Sequence, residues 1–264
     1  MIVLFRSCEA NLSPGSMGEG KEYKPRWNGK YKHEILRKCY MSVVNDLTPD
    51  DKLFIIDDLT TKETIEWMRR NSPAQFQVKT ITPLHELRKK HPYPEYHPVI
   101  TNCCPELMEL LVEIAEHNPD EIIYMCEDDY LHVPRAIEIL KATFSQGYEG
   151  FYAPYDYPDR YYLDNTKQCE LHIGPGGHLR TIPSATLTIA ALGKTWLRFK
   201  FDLLRAGVFA DDSWTWKAFK QVGALCPIPG HATHLQEGCV TPVTDWNRIY
   251  NDIHIEEEDK LPYS

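Results

Sequence analysis

Residues 122–129 read Ile-Ile-Tyr-Met-Cys-Glu-Asp-Asp, an apolar run that ends in three adjacent carboxylates and is followed at once by Tyr130. A run of this length bounded by polar residues has the character of a buried strand. Three acids at its tip repel one another unless positive charge sits among them, and a hard divalent cation with oxygen ligands is an economical neutraliser. Such a cation commonly accompanies phosphate. The chemistry suggested is therefore that of a phosphorylated or diphosphate-linked substrate. The plainer alternative is capping. Pro134 and the residues after it look like a helix start, and Asp129 would then simply favour that helix's positive end.

Other acids and bases stand at comparable places. Asp57-Asp58 end the apolar run Lys52-Leu53-Phe54-Ile55-Ile56, and Arg6-Ser7 end the run that begins at Met1. Asp211-Asp212 directly precede a helical stretch, residues 212–222, that carries Trp214 and Trp216. Two histidines, His231 and His234, lie in the loop-like stretch Pro227–Gly238. Residues 21–38 hold seven basic residues against two acids, an island in an acidic chain.

The elements that must position these groups alternate. Strands are expected over residues 1–6, 52–56, 76–81 and 121–126. Helices are expected over 33–46, 62–70 and 105–117, the second capped by Thr60 or Thr61 with Glu63 in its first turn, the third opened by Pro105. Residues 91–98, with three prolines in eight positions, cannot be regular structure. Four strand–helix alternations predict an α/β fold with a doubly wound, mostly parallel sheet, in which ligands bind at the carboxyl ends of the strands. Arg6-Ser7, Asp57-Asp58 and Glu127-Asp128-Asp129 all fall at such ends, so one crevice would gather them. In the second half, 151–155 and 186–190 read as strands, 174–177 as a glycine-rich loop and 227–238 as a loop.

Composition sets the outer limits. The chain has 264 residues, 42% hydrophobic and 25% charged, which is ordinary for a globular protein. A net charge of -9 argues against a general nucleic-acid binder. No signal peptide and no membrane-length apolar run is evident. Eight cysteines show neither a disulfide framework nor zinc-finger spacing. Reduced thiols and a cytoplasmic location are the expectation.

Taken together, strand 53–58 with its aspartates, Glu127-Asp128-Asp129, Ala210-Asp211-Asp212 before a helix, and His234 in Gly-His-Ala-Thr-His-Leu resemble the GT-A glycosyltransferases, in style nearest the inverting family 2-like enzymes. The resemblance covers roughly residues 1–240. It implies a Rossmann-like mixed, mostly parallel sheet flanked by helices, in one catalytic domain over 1–255, with a nucleotide-binding half 1–130, an acceptor half 131–255 and an acidic tail 256–264. It implies Mn²⁺ or Mg²⁺ as cofactor, a nucleotide-sugar donor of which a UDP-sugar is the commonest in the family, and a carbohydrate or other hydroxyl acceptor.

The resemblance also distributes roles. Glu127-Asp128-Asp129 corresponds to the metal-binding DXD motif, with Asp129 as direct ligand. Glu127 supports it through water or holds the ribose, and Asp128 contacts ribose or orders the loop. His234 completes the metal site, with His231 as competitor. Asp212 is the base that takes the acceptor proton, with Asp211 second; either could instead be the N-cap of the following helix. The pair reads Asp-Asp where the family's usual form is Glu-Asp. Arg6, Ser7, Asp57 and Asp58 are candidates for the nucleoside, and Arg180, Lys30 or Lys32 for the diphosphate. Trp214 and Trp216 either stack on a sugar or pack as core. Two other readings stay open. One is a Mg²⁺-dependent nucleotidyltransferase, which wants a basic, glycine-containing loop after the first strand. The other is a non-catalytic sugar- or nucleotide-binding protein with a transferase-like fold.

Overall fold

A computed structural model describes residues 1–9, 26–30, 32–58, 60–81, 105–162, 169–186, 188–209 and 213–255. In chain order these form β1 (Ile2–Ser7), α1 (Lys32–Val44), β2 (Lys52–Asp57), α2 (Lys62–Arg70), β3 (Gln75–Thr80), α3 (Pro105–His117), β4 (Ile122–Glu127), β5 (Tyr130–His132), α4 (Ala136–Ser145), β6 (Phe151–Tyr152), a 3₁₀ turn (Pro158–Tyr161), β7 (Leu171–Gly174), β8 (Gly177–Thr181), β9 (Ile189–Leu192), α5 (Gly193–Leu197), α6 (Lys200–Phe209), α7 (Trp214–Val222), β10 (Ala224–Ile228), β11 (Ala232–His234) and α8 (Trp246–Asp252). No helix among the described residues is long and apolar enough to cross a membrane.

The main sheet has nine strands in the order β3-β2-β1-β4-β9-β6-β10-β8-β7. The first four run parallel. β9 lies antiparallel between β4 and β6. β10 returns to the common direction beside β6, and the β7–β8 hairpin closes the far edge. Only β9 and β8 oppose the rest. The chain thus forms the expected α/β fold, a mixed and mostly parallel sheet with helices on both faces.

Side-chain alternation explains the layering. In a strand, successive side chains point to opposite faces. Ile2 and Leu4 of β1, Phe54 and Ile56 of β2, and Ile123 and Met125 of β4 pack with Leu107, Leu111, Trp196, Leu203 and Phe219, which come from α3, α5, α6 and α7. Val3 and Phe5, Leu53 and Ile55, and Tyr124 and Cys126 pack with Tyr40, Val43, Trp67, Leu140 and Phe144 of α1, α2 and α4. A strand buried on both sides must be apolar throughout, which is why these runs are continuous. A third cluster joins Trp27, Ile35, Cys39, Leu131, Leu235, Trp246 and Tyr250, fastening residues 26–30 and α8 to the outer side of α1.

Several expectations hold closely. α3 spans Pro105–His117. Thr61 is the cap of α2, accepting from the Thr64 amide at 3.2 Å. α4 starts at Ala136 with Arg135 as its N-cap residue, and the remote Asp46 carboxylate accepts from the amides of Arg135 (3.2 Å) and Ile137 (3.0 Å). Asp129 is therefore not the cap of that helix.

The second half needed correction. The glycine-rich stretch is the tip of an antiparallel hairpin, with Pro175-Gly176 as its turn. The strand expected over 186–190 begins only at Ile189, and the one expected over 151–155 keeps only Phe151–Tyr152. Within 227–238, expected to be all loop, the structure has the end of β10 and the whole of β11.

Candidate functional site

Parallel pairing puts the ends of β1, β2 and β4 side by side. The register aligns Arg6 with Glu127 and Ser7 with Asp57. Arg6 donates to Asp58 at 2.9 Å and approaches Glu127 at 3.6 Å, so one guanidinium ties the tips of three strands. Ser7 and Asp57 are engaged nearby. The Ser7 hydroxyl accepts from Thr60 Oγ1 (2.8 Å), and Asp57 accepts from the Thr60 amide (2.9 Å) and Thr80 Oγ1 (3.1 Å).

β4 ends at Glu127, and after Asp128-Asp129 the chain re-enters extended structure as β5. β11 pairs antiparallel with β5, setting His234 opposite Tyr130. The Leu235 amide donates to the Asp129 carbonyl at 2.8 Å. This ribbon carries His234 to the acids: its Nε2 lies 3.4 Å from Asp129 Oδ2, and its ring stacks on Tyr130 at 4.8 Å between centroids. Tyr155 packs edge-on against Tyr130 (5.2 Å) and bonds the Cys239 carbonyl through its hydroxyl (2.6 Å). His231 goes elsewhere. Its Nδ1 lies 3.1 Å from the Tyr152 hydroxyl in the core, and burial holds the imidazole down to about 4.

Two cations from the segment after β1 complete the cluster. Arg26 Nη1 donates to Asp129 Oδ2 at 2.8 Å. Lys32, at the start of α1, donates to Asp128 Oδ1 at 2.9 Å and stands 4.0 Å from Asp129. The Cys8 amide also donates to Asp128. Arg26 is held by its backbone: its carbonyl accepts from the Glu237 amide (2.7 Å), and its amide donates to the Lys30 carbonyl (2.8 Å). The next residue, Trp27, is buried against Tyr250.

Burial pushes the Glu127 carboxyl up, and the neighbouring Asp129 charge adds to this. Burial also pushes Asp128 up, with the Lys32 ammonium only partly offsetting it. Asp129 behaves oppositely: burial is outweighed by His234, Lys32 and Arg26, which hold its carboxyl far below the usual range. Burial alone would lower His234, but the Asp129 carboxylate drives it up to about 10. The acidic side chains of Asp58, Glu127, Asp128 and Asp129 are thus each paired with a basic one among Arg6, Arg26, Lys32 and His234.

As a metal site, the arrangement would offer the Asp129 carboxylate and, only after loss of the proton that Asp129 holds on it, the His234 imidazole, an oxygen–nitrogen donor pair that suits Mn²⁺. Among the described residues no three His, Cys, Asp or Glu side chains meet as a closed ligand set. A cation at Asp129 and His234 would take its other ligands from water and phosphate, as open catalytic sites do.

The remaining expected residues lie apart. Arg180, on β8, is four strands from β4, roughly 19 Å at the usual strand spacing. Its guanidinium is paired with the fully buried Asp156 and lies over the Tyr161 ring (5.0 Å), a connection invisible to spacing along the chain. Lys30 sits over the Tyr250 ring at 5.2 Å. Trp214 is core, packed with Phe151 and Trp196, while Trp216 is half exposed. Asp211 and Asp212 lie outside the described residues. Arg26 was not singled out from the sequence, although it belongs to the basic island of residues 21–38.

No protein-family model matches the chain, and no curated protein matches it. Solved structures with a similar backbone course include a Bacillus anthracis protein assigned as a glucose-1-phosphate thymidylyltransferase. It is 12% identical, with 98% of this chain and 97% of that chain covered and a TM-score of 0.48. Others are S. aureus TarS (9% identical, 86% of this chain and 34% of that one, TM-score 0.45) and the galactosyltransferase LgtC (10%, 84% and 66%, TM-score 0.37). These likenesses concern the course of the backbone alone.

Proposed function

We propose that the protein is a glycosyltransferase that moves a sugar from a nucleoside-diphosphate donor, a UDP-sugar by first expectation, to an acceptor hydroxyl with inversion. The observation that carries this reading is the meeting of Arg6, Asp58, Glu127, Asp128, Asp129 and His234 at the carboxyl ends of β1, β2 and β4, where open parallel sheets bind ligands. Arg6 and Asp58 would face the nucleoside. Arg26 and Lys32 would neutralise charge that builds on the departing diphosphate. A Mn²⁺ or Mg²⁺ ion at Asp129 and His234 would add Lewis-acid stabilisation of the same charge. Asp212 is assigned as the base that accepts the proton of the attacking hydroxyl.

A thermal-shift screen of nucleotides and nucleotide sugars, with and without Mn²⁺, tests the assignment. A ligand at one hundred times its Kd stabilises by about 2.7 kcal/mol. Stabilisation by one nucleotide-sugar class is the expected result, and no shift with any member would remove the reading.

One observation favours the nucleotidyltransferase reading: basic residues from the segment following β1 do enter the acidic cluster, as Arg26 and Lys32. Release of pyrophosphate from a nucleoside triphosphate and a sugar phosphate, with no transfer from nucleotide sugars, would decide for it.

A further inference from the structure

An aromatic series runs outward from the acidic cluster. The His234 ring stacks on Tyr130 (4.8 Å), Tyr130 meets Tyr155 edge to face (5.2 Å), and Tyr155 meets Tyr157 in the same way (5.5 Å). Exposure rises along the series: Tyr130 and Tyr155 are buried, whereas Tyr157 is 38% exposed. A second route joins the outer ring to the site, because the Cys239 side chain is hydrogen-bonded both to His234 and to Tyr157. Tyr157 therefore stands on the rim of the crevice, tied to His234 from two directions.

An exposed tyrosine by itself is ordinary on a protein surface. The backbone that carries this one is fixed on both sides. Asp156 is fully buried; its carboxylate accepts from the Tyr161 hydroxyl at 2.6 Å and is paired with Arg160 and Arg180. The Asp156 carbonyl accepts from Thr241 Oγ1 at 2.9 Å. The Tyr157 carbonyl accepts from the Arg160 amide at 3.1 Å, and the buried Pro158 opens the 3₁₀ turn. A tyrosine has only two side-chain torsions, so a ring on so firm a base loses little freedom when a ligand covers it. The edge-to-face contact with Tyr155 occupies at most one face of the Tyr157 ring and leaves the other for a ligand. The Asp159 carboxylate lies close to the same ring. A flat apolar face beside a hydrogen-bond acceptor matches the two aspects of a pyranose, whose axial C–H bonds form an apolar face and whose hydroxyls surround it. A lipid chain would gain nothing from the carboxylate.

We propose that Tyr157 is the platform on which the acceptor stacks, that this acceptor is a saccharide presenting the C–H face of a pyranose ring, and that Asp159 accepts from one of its hydroxyls. The role of acceptor rests on the transferase reading above, whereas the sugar site itself rests on the geometry alone.

Saturation-transfer NMR with methyl β-glucopyranoside and methyl β-galactopyranoside, in the presence of uridine diphosphate and Mg²⁺, measures this for the wild type, Tyr157→Phe and Tyr157→Ala. A thermal-shift titration with uridine diphosphate accompanies each protein. The wild type should bind at least one of the glycosides, with the strongest transfer to protons on one face of the sugar ring. Tyr157→Ala should weaken that binding about tenfold, the upper end of what one aromatic contact supplies. Tyr157→Phe keeps the ring and loses only the bond to Cys239, so it should stay within about twofold of wild type. Uridine diphosphate should stabilise all three proteins equally, which sets the effect apart from misfolding. The platform is overturned if the wild type binds neither glycoside, if Tyr157→Ala binds as tightly as wild type, or if Tyr157→Phe loses as much as Tyr157→Ala. Any of these results with uridine diphosphate still bound leaves the transferase reading standing. Glycoside binding that depends on the Tyr157 ring, in a protein that no nucleotide stabilises, keeps the sugar site and removes the transferase reading.

Discussion

Nε2 of His234 lies 3.4 Å from Oδ2 of Asp129, and the ring that carries it is stacked on Tyr130, the residue directly after the acids. Loss of the carboxylate should remove the anchor of the proposed metal site without unravelling the ribbon, which is held by backbone bonds. Asp129→Ala is expected to abolish Mn²⁺-dependent nucleotide binding measured by calorimetry, while the far-UV circular dichroism spectrum stays that of the wild type. An unchanged affinity would sink the metal assignment.

Asp212→Asn removes the proposed base and leaves the donor-binding groups in place. Transfer from a nucleotide sugar should fall by about 10²–10⁴ in kcat, the usual contribution of general-base catalysis, with donor affinity unaltered. A variant that transfers at the wild-type rate would return the role to Asp211 or to no side chain at all.

Arg180 should prove structural. Its partner Asp156 is fully buried and also pairs with Arg160 at 3.3 Å. Arg180→Met strips one cation from that carboxylate and should cost about 3 kcal/mol in urea unfolding, as expected for breaking a buried pair. Nucleotide affinity should not change. A loss of affinity without a loss of stability would return Arg180 to the diphosphate.

His132 supplies a pH dependence. It is buried beside Tyr124, whose hydroxyl lies 2.6 Å from Nε2, and burial lowers its pKa from 6.5 to about 3. The unfolded chain then binds a proton that the folded chain refuses. Its contribution is intact above pH 6.5 and is lost as pH falls toward 3, at about 1.4 kcal/mol per unit. His132→Gln should lose about 2 kcal/mol less than wild type between pH 6.5 and pH 5 in urea titrations. Parallel curves for the two proteins would show that this imidazole does not drive the acid sensitivity.

The part of the fold that could be read from the sequence is the part built from long, doubly buried strands. β1, β2 and β4 are apolar on both faces, so their runs stand out, and their polar ends mark the crevice. β5 and β11 have three residues each and exist because they pair with one another, a relation that no local pattern records. For the same reason the choice of His234 over His231 rested on the resemblance and not on local pattern: the pairing of β11 with β5 decides which of them meets Asp129. Pro175-Gly176-Gly177 suggested an open loop, because the strands that flank it are only four and five residues long and largely exposed, so no buried apolar run marks them. Arg26 escaped notice because its place depends on a backbone bond to Glu237, far along the chain.

The β5–β11 ribbon also bears on how the protein is made. Arg6, Lys32 and the three acids are all translated well before Ala232–His234 leave the ribosome. Until then β5 has an unpaired edge, and Asp129 has no imidazole beside it. A nascent chain halted before residue 232 would carry most of the sheet but an open strand where its acidic centre should close, which marks that interval of synthesis as the one in which a chaperone or a wrong strand has most to bind.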